Sequence, residues 1–130
     1  MSKETFHVPG VSEAVSAAGV PLSAVVKGAG LVFVSGMPPI DTKNIGFVRG
    51  DIARQTETCL DHVKAALEAA GSSLDKVLKM TVYASNSAYY GSINEVYARY
   101  FDENPPARTF VTVASWPMEF DIEIECIALA

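Results

Sequence analysis

The strongest constraint on the fold is a stretch near the C-terminus, residues 120–126, in which apolar and acidic side chains alternate strictly. Such alternation is typical of a β-strand that has one face on a hydrophobic core. The other face of this strand carries three carboxylates, Asp121, Glu123 and Glu125. Contact with water is the ordinary explanation for charges on a strand, and a functional site is the alternative. The chain is therefore expected to form a sheet with two chemically different faces.

A second pattern, at residues 51–71, predicts an amphipathic helix. Apolar or small residues recur there every three or four positions, Asp51 stands where an N-cap is expected, and Gly71 stands at the C-terminal end. A second helix is predicted to start near Ser87 and to end before Pro105 and Pro106. Strands are predicted at residues 23–27, 31–35, 77–84, 107–114 and 120–129, with a further short strand at 47–49.

These elements follow the order β-β-(β)-α-β-α-β-β in a single domain, residues 1–130, with residues 1–19 as an N-terminal arm. The order predicts an α+β fold with a mixed sheet and two helices packed on one face. The other face is too apolar for water, because residues 31–34 are apolar throughout and the acidic face of the last strand continues into Ile127 and Leu129. We therefore expect oligomerisation through the face that the helices leave uncovered.

Composition excludes several classes of function. The net charge of −5 and the pI near 4.9 make a general nucleic-acid surface unlikely, because phosphate binding needs clustered basic residues. The most apolar stretch is broken by Lys27 and two glycines, and the N-terminus has no apolar leader, so no membrane association is expected and the protein is predicted to be cytoplasmic. Cys59 and Cys126 lie on predicted apolar faces, without the spacing of a metal or redox pair. No metal or cofactor is expected.

One arginine accompanies the acidic row. If the last two strands form an antiparallel hairpin through residues 115–119, Arg108 and Phe110 share the outer face with the carboxylates, and Arg108 lies across from Glu125 and diagonal to Glu123. Two interpretations remain open from geometry alone. The charges form an ion-pair network between subunits, or Arg108 binds a substrate carboxylate while a nearby glutamate manages a water molecule.

Four segments carry a resemblance to a known family. They are residues 32–41 (VFVSGMPPID), 93–101 (INEVYARYF), 105–114 (PPARTFVTVA) and 121–128 (DIEIECIA). Together they resemble the reactive intermediate deaminase family (RidA, also called YjgF) over roughly residues 20–129. The resemblance implies a chorismate-mutase-like fold and a homotrimer in which the sheets line a central barrel, with active sites in clefts between subunits. It also implies hydrolysis of reactive enamines and imines, such as 2-aminoacrylate, to 2-ketoacids and ammonia without metal or cofactor.

The resemblance assigns site residues by position. Arg108 matches the arginine that binds the substrate carboxylate, and Glu123 matches the glutamate that orients the attacking water. Asn94 matches an asparagine that lines the cleft, and Gly36 matches a glycine whose backbone approaches the ligand. Two positions differ from the archetypal members: Leu22 replaces a cleft tyrosine, and Phe110 replaces a cysteine and adds bulk beside the carboxylate site. A different imine substrate is therefore expected.

Two other functions remain as alternatives. One is the endoribonuclease or translation-inhibitor activity often attached to such sequences, although the chain is acidic and neither histidine is placed for RNA cleavage. The other is a non-catalytic trimer that binds carboxylate metabolites or acts like a chaperone, which the changes at Leu22 and Phe110 favour.

Overall fold

A computed structural model describes residues 2–130 as one six-stranded mixed sheet with three α-helices. The strands are β1 (Glu4–Thr5), β2 (Val25–Gly28), β3 (Leu31–Met37), β4 (Val77–Ala84), β5 (Ala107–Thr112) and β6 (Ile122–Leu129). The helices are α1 (Val11–Ala18), α2 (Ile52–Ala69) and α3 (Tyr90–Tyr100), with short 3-10 turns at Leu74–Lys76 and Ser87–Tyr89. The α+β class and the mixed sheet are therefore confirmed. None of the helices within residues 2–130 is long and apolar enough to cross a membrane.

The predicted amphipathic helix is α2, and its ends have the expected caps. The Asp51 side chain accepts a hydrogen bond from the Ala53 backbone N–H at 2.9 Å, and Gly71 takes a left-handed conformation with φ of 81° just after the helix. The buried stripe of α2 packs on β3 and β6, and α3 packs against α2. The apolar residues of β6 on that side are almost fully buried, which confirms the covered face inferred from the alternation: Ile122, Ile124, Cys126 and Ala128.

The sheet order is β1-β2-β3-β6-β4-β5, so the predicted hairpin between the last two strands is wrong. Strand β6 lies between β3 and β4, antiparallel to both, and β5 pairs only with β4, in parallel. The connecting segment, residues 113–121, crosses the end of β4, where the Val113 N–H donates to Ala84 at 2.9 Å and the Ser85 N–H donates to Asp121 at 3.0 Å. Strand β6 lies inside the sheet and buries every second side chain, whereas β5 forms an edge and is more exposed.

This order changes the face on which the β5 side chains lie. Arg108 is the neighbour of Met80, which is buried on the helix-covered face, and Glu123 is the neighbour of Tyr83 on the open face. Residues paired across adjacent strands share a face. The predicted common face of Arg108, Phe110 and the carboxylates is therefore wrong. Arg108 and Phe110 lie on the helix side, and Glu123 and Glu125 lie on the open side. Asp121 precedes β6 and hydrogen-bonds to Gln55 of α2.

The N-terminal arm contains two elements that the sequence analysis missed. Strand β1 pairs with β2, and α1 begins after Gly10 and ends at Gly19, which has a φ of 68°. The apolar spacing of Val11, Ala14, Val15 and Ala18 is that of a helix and could have identified α1. The predicted strand at residues 47–49 is reduced to one bridge between Ile40 and Phe47.

The open face of the sheet carries exposed apolar side chains. Phe33 is 42% exposed and Leu129 is 47% exposed, and Val111 lies on the same face beside Tyr83. The apolar pattern of the second and last predicted strands indicates the same face.

Candidate functional site

The predicted site residues fall into two groups on opposite faces of the sheet. Asn94, Arg108 and Phe110 meet on the helix-covered side, at the edge strand β5. Gly36 and Glu123 meet on β3 and β6, where both line a cleft. The first group forms the arginine half-site, and the second forms the glutamate half-site.

Helix α3 positions the arginine half-site. The Arg108 Nη1 donates to the Asn94 Oδ1 at 2.8 Å, and its Nη2 lies 3.4 Å from the Tyr90 hydroxyl oxygen, to which it donates. The guanidinium carbon is 4.9 Å from the Tyr97 ring centroid and 5.6 Å from that of Tyr90. Cation–π contacts of this kind hold a guanidinium in place without using up its N–H donors.

The Arg108 guanidinium retains binding capacity. It has five N–H donors in a planar fork, yet within residues 2–130 it forms the two hydrogen bonds above and no ion pair. A positive group with unused donors in a forked arrangement suits a carboxylate or phosphate, which it binds through two parallel hydrogen bonds. The arrangement can therefore bind a planar anion at the edge of the sheet.

Two tyrosines of this half-site were not identified from the sequence. The Tyr90 ring meets the Phe110 ring edge-on, with centroids 5.0 Å apart, so Phe110 supports the ring beside Arg108. The Tyr97 hydroxyl is buried and lacks a hydrogen-bond partner within residues 2–130, and burial raises its pKa to about 12. The spacing of Tyr90, Asn94 and Tyr97 along one face of α3 is the signal that could have grouped them.

The glutamate half-site depends on close contact between β3 and β6. The pairing of these strands shifts register between Val34 and Met37, and Gly36 lies within the shift, against the Glu123 side chain. A Cβ atom at residue 36 would lie 2.9 Å from the Glu123 Cδ and would overlap its carboxylate. Only glycine leaves room for the carboxylate in this position.

The three carboxylates of the acidic row have different surroundings. Asp121 accepts hydrogen bonds from the Gln55 side chain at 3.1 Å and from the Ser85 hydroxyl at 2.9 Å, and Glu125 accepts one from the Tyr83 hydroxyl. Glu123 accepts none within residues 2–130. Burial raises its pKa, and the negative charge of Glu125 raises it further. Glu123 therefore has a raised pKa and remains free to bind another group.

The Glu123 and Gly36 residues line a cleft of about 610 Å³. Its other walls are α1, the loop formed by residues 38–47, Leu22 and Met118. Leu22, which replaces the tyrosine expected from the resemblance, thus lies in the same cleft as Glu123. Arg108, Asn94 and Phe110 are not among the lining residues.

The described part of the chain has no cluster of metal-ligating side chains, and its two thiols are buried. No cluster of three or more potential metal-ligating side chains occurs among residues 2–130. Cys59 and Cys126 are both buried and free, and burial raises the pKa of each thiol, that of Cys126 to about 12. Both thiols are therefore protonated at neutral pH, as expected of small buried apolar residues.

Comparisons with known proteins point to one family. The family model described as Endoribonuclease L-PSP matches residues 12–130. A RutC family protein of Pyrococcus horikoshii is 46% identical over 83% of this chain and 86% of its own length. Reactive Intermediate Deaminase A of Arabidopsis thaliana is 37% identical over 90% of this chain and 63% of its own length. The structure of Escherichia coli TdcF with bound serine has a TM-score of 0.79 and 34% identity, covering 85% of this chain and 88% of that one.

The matched region spans every element from α1 to β6, including both half-sites. The chain belongs to the endoribonuclease L-PSP family, which is also the RidA/YjgF family and which includes reactive intermediate deaminases.

Proposed function

We propose that this protein is an enamine/imine deaminase, a hydrolase that converts 2-imino and 2-enamino acids to 2-ketoacids and ammonia. The observation that carries the proposal is Glu123, a half-buried carboxylate with a raised pKa and no hydrogen-bond partner within residues 2–130, at the wall of an apolar cleft. A carboxylate in these surroundings suits proton transfer to and from water. Membership of a family that includes reactive intermediate deaminases supports the same reaction.

The proposed active site needs two copies of the chain. Arg108 and Glu123 lie on opposite faces of one sheet, so a single substrate molecule does not reach both within one protomer. A ring of subunits joined head to tail brings the arginine half-site of one copy to the glutamate half-site of the next. Exposed apolar side chains on the open face, among them Phe33 and Leu129, favour such an assembly. A homotrimer is the arrangement that we propose.

In this site, the arginine half-site fixes the substrate. The carboxylate of the 2-imino acid binds the unused N–H donors of Arg108, while Asn94 and the two tyrosines hold the guanidinium in position. TdcF, whose structure contains serine, binds a small molecule with the same type of carboxylate. Binding through the carboxylate leaves the neighbouring C=N carbon, C2, free for attack.

The glutamate half-site performs the proton transfers. A proton from solvent first bonds to C3 of an enamine, which gives the protonated imine. The Glu123 carboxylate then accepts a proton from water as the water oxygen bonds to C2 of the protonated imine, which gives a carbinolamine. The protonated Glu123 returns this proton to the nitrogen, and the C–N bond breaks as the C2 carbonyl forms. The proton of the C2 hydroxyl passes to the departing ammonia, which leaves as ammonium. One water is consumed, and Glu123 ends in its initial state.

The proposal is tested by assaying freshly generated 2-imino acids for accelerated ketoacid formation. We expect Arg108→Ala and Glu123→Gln to lower kcat/KM by about 10²- to 10⁴-fold. Glu125→Gln is the matched control, because this carboxylate lies on the same face of the same strand but accepts a hydrogen bond from Tyr83. It is expected to retain most of the activity. Wild-type rates equal to the uncatalysed background would rule out the proposal.

The same variants discriminate between the deaminase and the alternatives. Binding of 2-ketoacids without any imine turnover would indicate a metabolite-binding protein. Cleavage of RNA that is lost in Arg108→Ala would support the endoribonuclease activity named in the family description.

A further inference from the structure

The glutamate half-site opens into a cleft much larger than the smallest 2-imino acids. A 2-imino acid with a methyl side chain has six heavy atoms, which fill under about 200 Å³ at roughly 30 Å³ per atom. The cleft has a volume of about 610 Å³, within the range of about 300–1,000 Å³ of pockets that hold larger organic ligands. A substrate this small would therefore fill at most about a third of the cleft formed by one copy of the chain.

The walls of the cleft are apolar. They include Ala14 and Val15 of α1, Ile40 and Phe47 of the loop at residues 38–47, and Met118. Polar side chains at its edges are already engaged elsewhere: the Ser35 hydroxyl donates to the Ser23 carbonyl at 2.6 Å, and Asp41 accepts from the N–H groups of Lys43 and Asn44 at 3.0 Å.

One more acidic side chain on the lining, that of Glu13, is also engaged. It accepts a hydrogen bond from the Gly10 N–H at 2.6 Å and contacts His7. Among the lining residues, Glu123 is thus the carboxylate that remains available to a ligand.

Two contacts fix the shape of the cleft. Gly10, at the start of α1, lies so close to Thr42 that a Cβ at residue 10 would be 2.7 Å from the Thr42 Cγ2. The His62 Nε2 lies 2.7 Å from the Ile40 carbonyl oxygen and hydrogen-bonds to it, which attaches the loop to α2. These contacts hold the loop against α1 and α2, so the cleft is already formed in the absence of a ligand.

We propose that this cleft binds the substrate side chain, and that the preferred substrates are 2-imino acids with branched aliphatic or aromatic side chains. The inference rests on the proposed function, because Glu123 then places C2 of the substrate at the wall from which the side chain extends. A four-carbon branched chain fills roughly 120 Å³ and a benzyl group roughly 210 Å³ at about 30 Å³ per heavy atom, so both fit. Each additional methylene buried against such walls strengthens binding by about fourfold.

The test measures binding of the product ketoacids by calorimetry, together with hydrolysis of the matching 2-imino acids. The probes are pyruvate, 4-methyl-2-oxopentanoate and phenylpyruvate. Wild-type protein is expected to bind the two larger probes at least tenfold more tightly than pyruvate. The kcat/KM values of the matching imines are expected to follow the same order.

Two variants locate the effect. Ala14→Phe fills the cleft, and Ser16→Phe is its matched control, since Ser16 lies on the same helix but does not line the cleft. The preference for large probes should fall at least fivefold in Ala14→Phe and persist in Ser16→Phe. Met118→Lys introduces a charge into the cleft from an exposed position and should have the same effect as Ala14→Phe, which keeps the test valid if Ala14→Phe does not fold.

The outcomes separate this inference from the proposed function. Equal affinity for pyruvate and the larger ketoacids, or a preference unchanged by both Ala14→Phe and Met118→Lys, would overturn the side-chain subsite while leaving the deaminase proposal intact. Absence of both ketoacid binding and imine hydrolysis would overturn both.

Discussion

Arg108 and Glu123 project from opposite faces of the same sheet, separated by strand β4, which pairs with both of their strands. The first has a guanidinium with unused donors, and the second has a carboxylate with a raised pKa. Neither half-site alone provides both carboxylate binding and proton transfer. The proposed reaction therefore needs at least two copies of the chain.

A mixing experiment tests that dependence. Arg108→Ala and Glu123→Gln are each expected to be inactive as pure proteins. If each site takes its arginine from one copy and its glutamate from the next, unfolding an equimolar mixture and refolding it should restore about one quarter of the wild-type activity, because about one site in four combines both intact residues. Ketoacid formation measures the recovery. No recovery in refolded mixtures that contain mixed oligomers would show that the two residues do not act across an interface.

Replacement of Gly36 by alanine tests the contact between β3 and the Glu123 carboxylate, the proposed base. The added Cβ would overlap the Glu123 carboxylate and displace it, so kcat/KM is expected to fall by about 10- to 100-fold while the fold is retained. Gly28→Ala is the matched control, because the nearest atom to its added Cβ, the Ser2 carbonyl oxygen, is 3.8 Å away. Equal activity of both variants would contradict the role given to Gly36.

The buried Tyr97 hydroxyl gives a prediction about stability. Because this hydroxyl has no hydrogen-bond partner within residues 2–130, Tyr97→Phe removes a desolvated polar group and keeps the ring beneath Arg108. The free energy of unfolding in urea is expected to rise by about 1 kcal/mol. Tyr100→Phe provides the contrast, since the Tyr100 hydroxyl donates to Asp61 at 2.7 Å, and a loss of about 0.5–1.5 kcal/mol is expected there. A loss of stability in Tyr97→Phe would indicate that the hydroxyl does have a partner.

Local patterns predicted the individual elements well. The bounds predicted for β4, residues 77–84, agree with the structure, and α2 has the N-cap predicted at Asp51. Periodicity and capping act within a few residues, so they can be interpreted without knowledge of the rest of the fold. The missed helix α1 has the same kind of pattern, but residues 1–19 were assigned no helix or strand from the sequence.

The pairing of strands could not be obtained in the same way. The short segment between β5 and β6 suggested a hairpin, but β6 buries its apolar residues by inserting between β3 and β4, which lie far from it in sequence. The side of the sheet on which Arg108 lies depends on the strand that pairs with β5. The wrong pairing therefore led to the wrong side being predicted for Arg108. The resemblance identified candidate residues at both half-sites, but it did not show which of them lie close together within one copy of the chain.

Gln55 provides a test of the support beneath the glutamate half-site. Its side chain is fully buried on α2, donates to the Asp121 carboxylate at 3.1 Å and accepts from the Asp121 N–H at 2.9 Å. Gln55→Leu leaves these groups of Asp121 without their partner, so the free energy of unfolding in urea is expected to fall by about 2–4 kcal/mol. Thr58→Ala on the same helix removes only an exposed hydroxyl hydrogen bond to the Arg54 carbonyl, so it should change this free energy by less than about 0.5 kcal/mol. Similar small losses in both would show that the Gln55 hydrogen bonds contribute little.

The raised pKa of Glu123 predicts opposite pH effects on stability and on activity. Burial raises this pKa above the ordinary value of 4.5, so the folded protein takes up the Glu123 proton more readily than the unfolded chain does. The corresponding stabilisation is complete below pH 4.5 and is lost as the pH rises through the folded pKa. Glu123→Gln has no such proton, so its free energy of unfolding should increase relative to wild type over the same pH range.

Activity should follow the reverse course, because the ionised carboxylate is the form that accepts the proton from water. The kcat/KM of the wild type is expected to rise with pH through the raised pKa of Glu123, with its acid limb above the ordinary range of a glutamate. Urea unfolding of both proteins between pH 4 and pH 8, alongside the kcat/KM profile of the wild type, measures both effects. Glu119→Gln, at an exposed ion pair with Arg49, is the charge-matched control. A stability difference between wild type and Glu123→Gln that stays constant with pH would show that the Glu123 carboxylate is as well solvated in the folded protein as in the unfolded chain, and it would remove the physical basis for its role as the base.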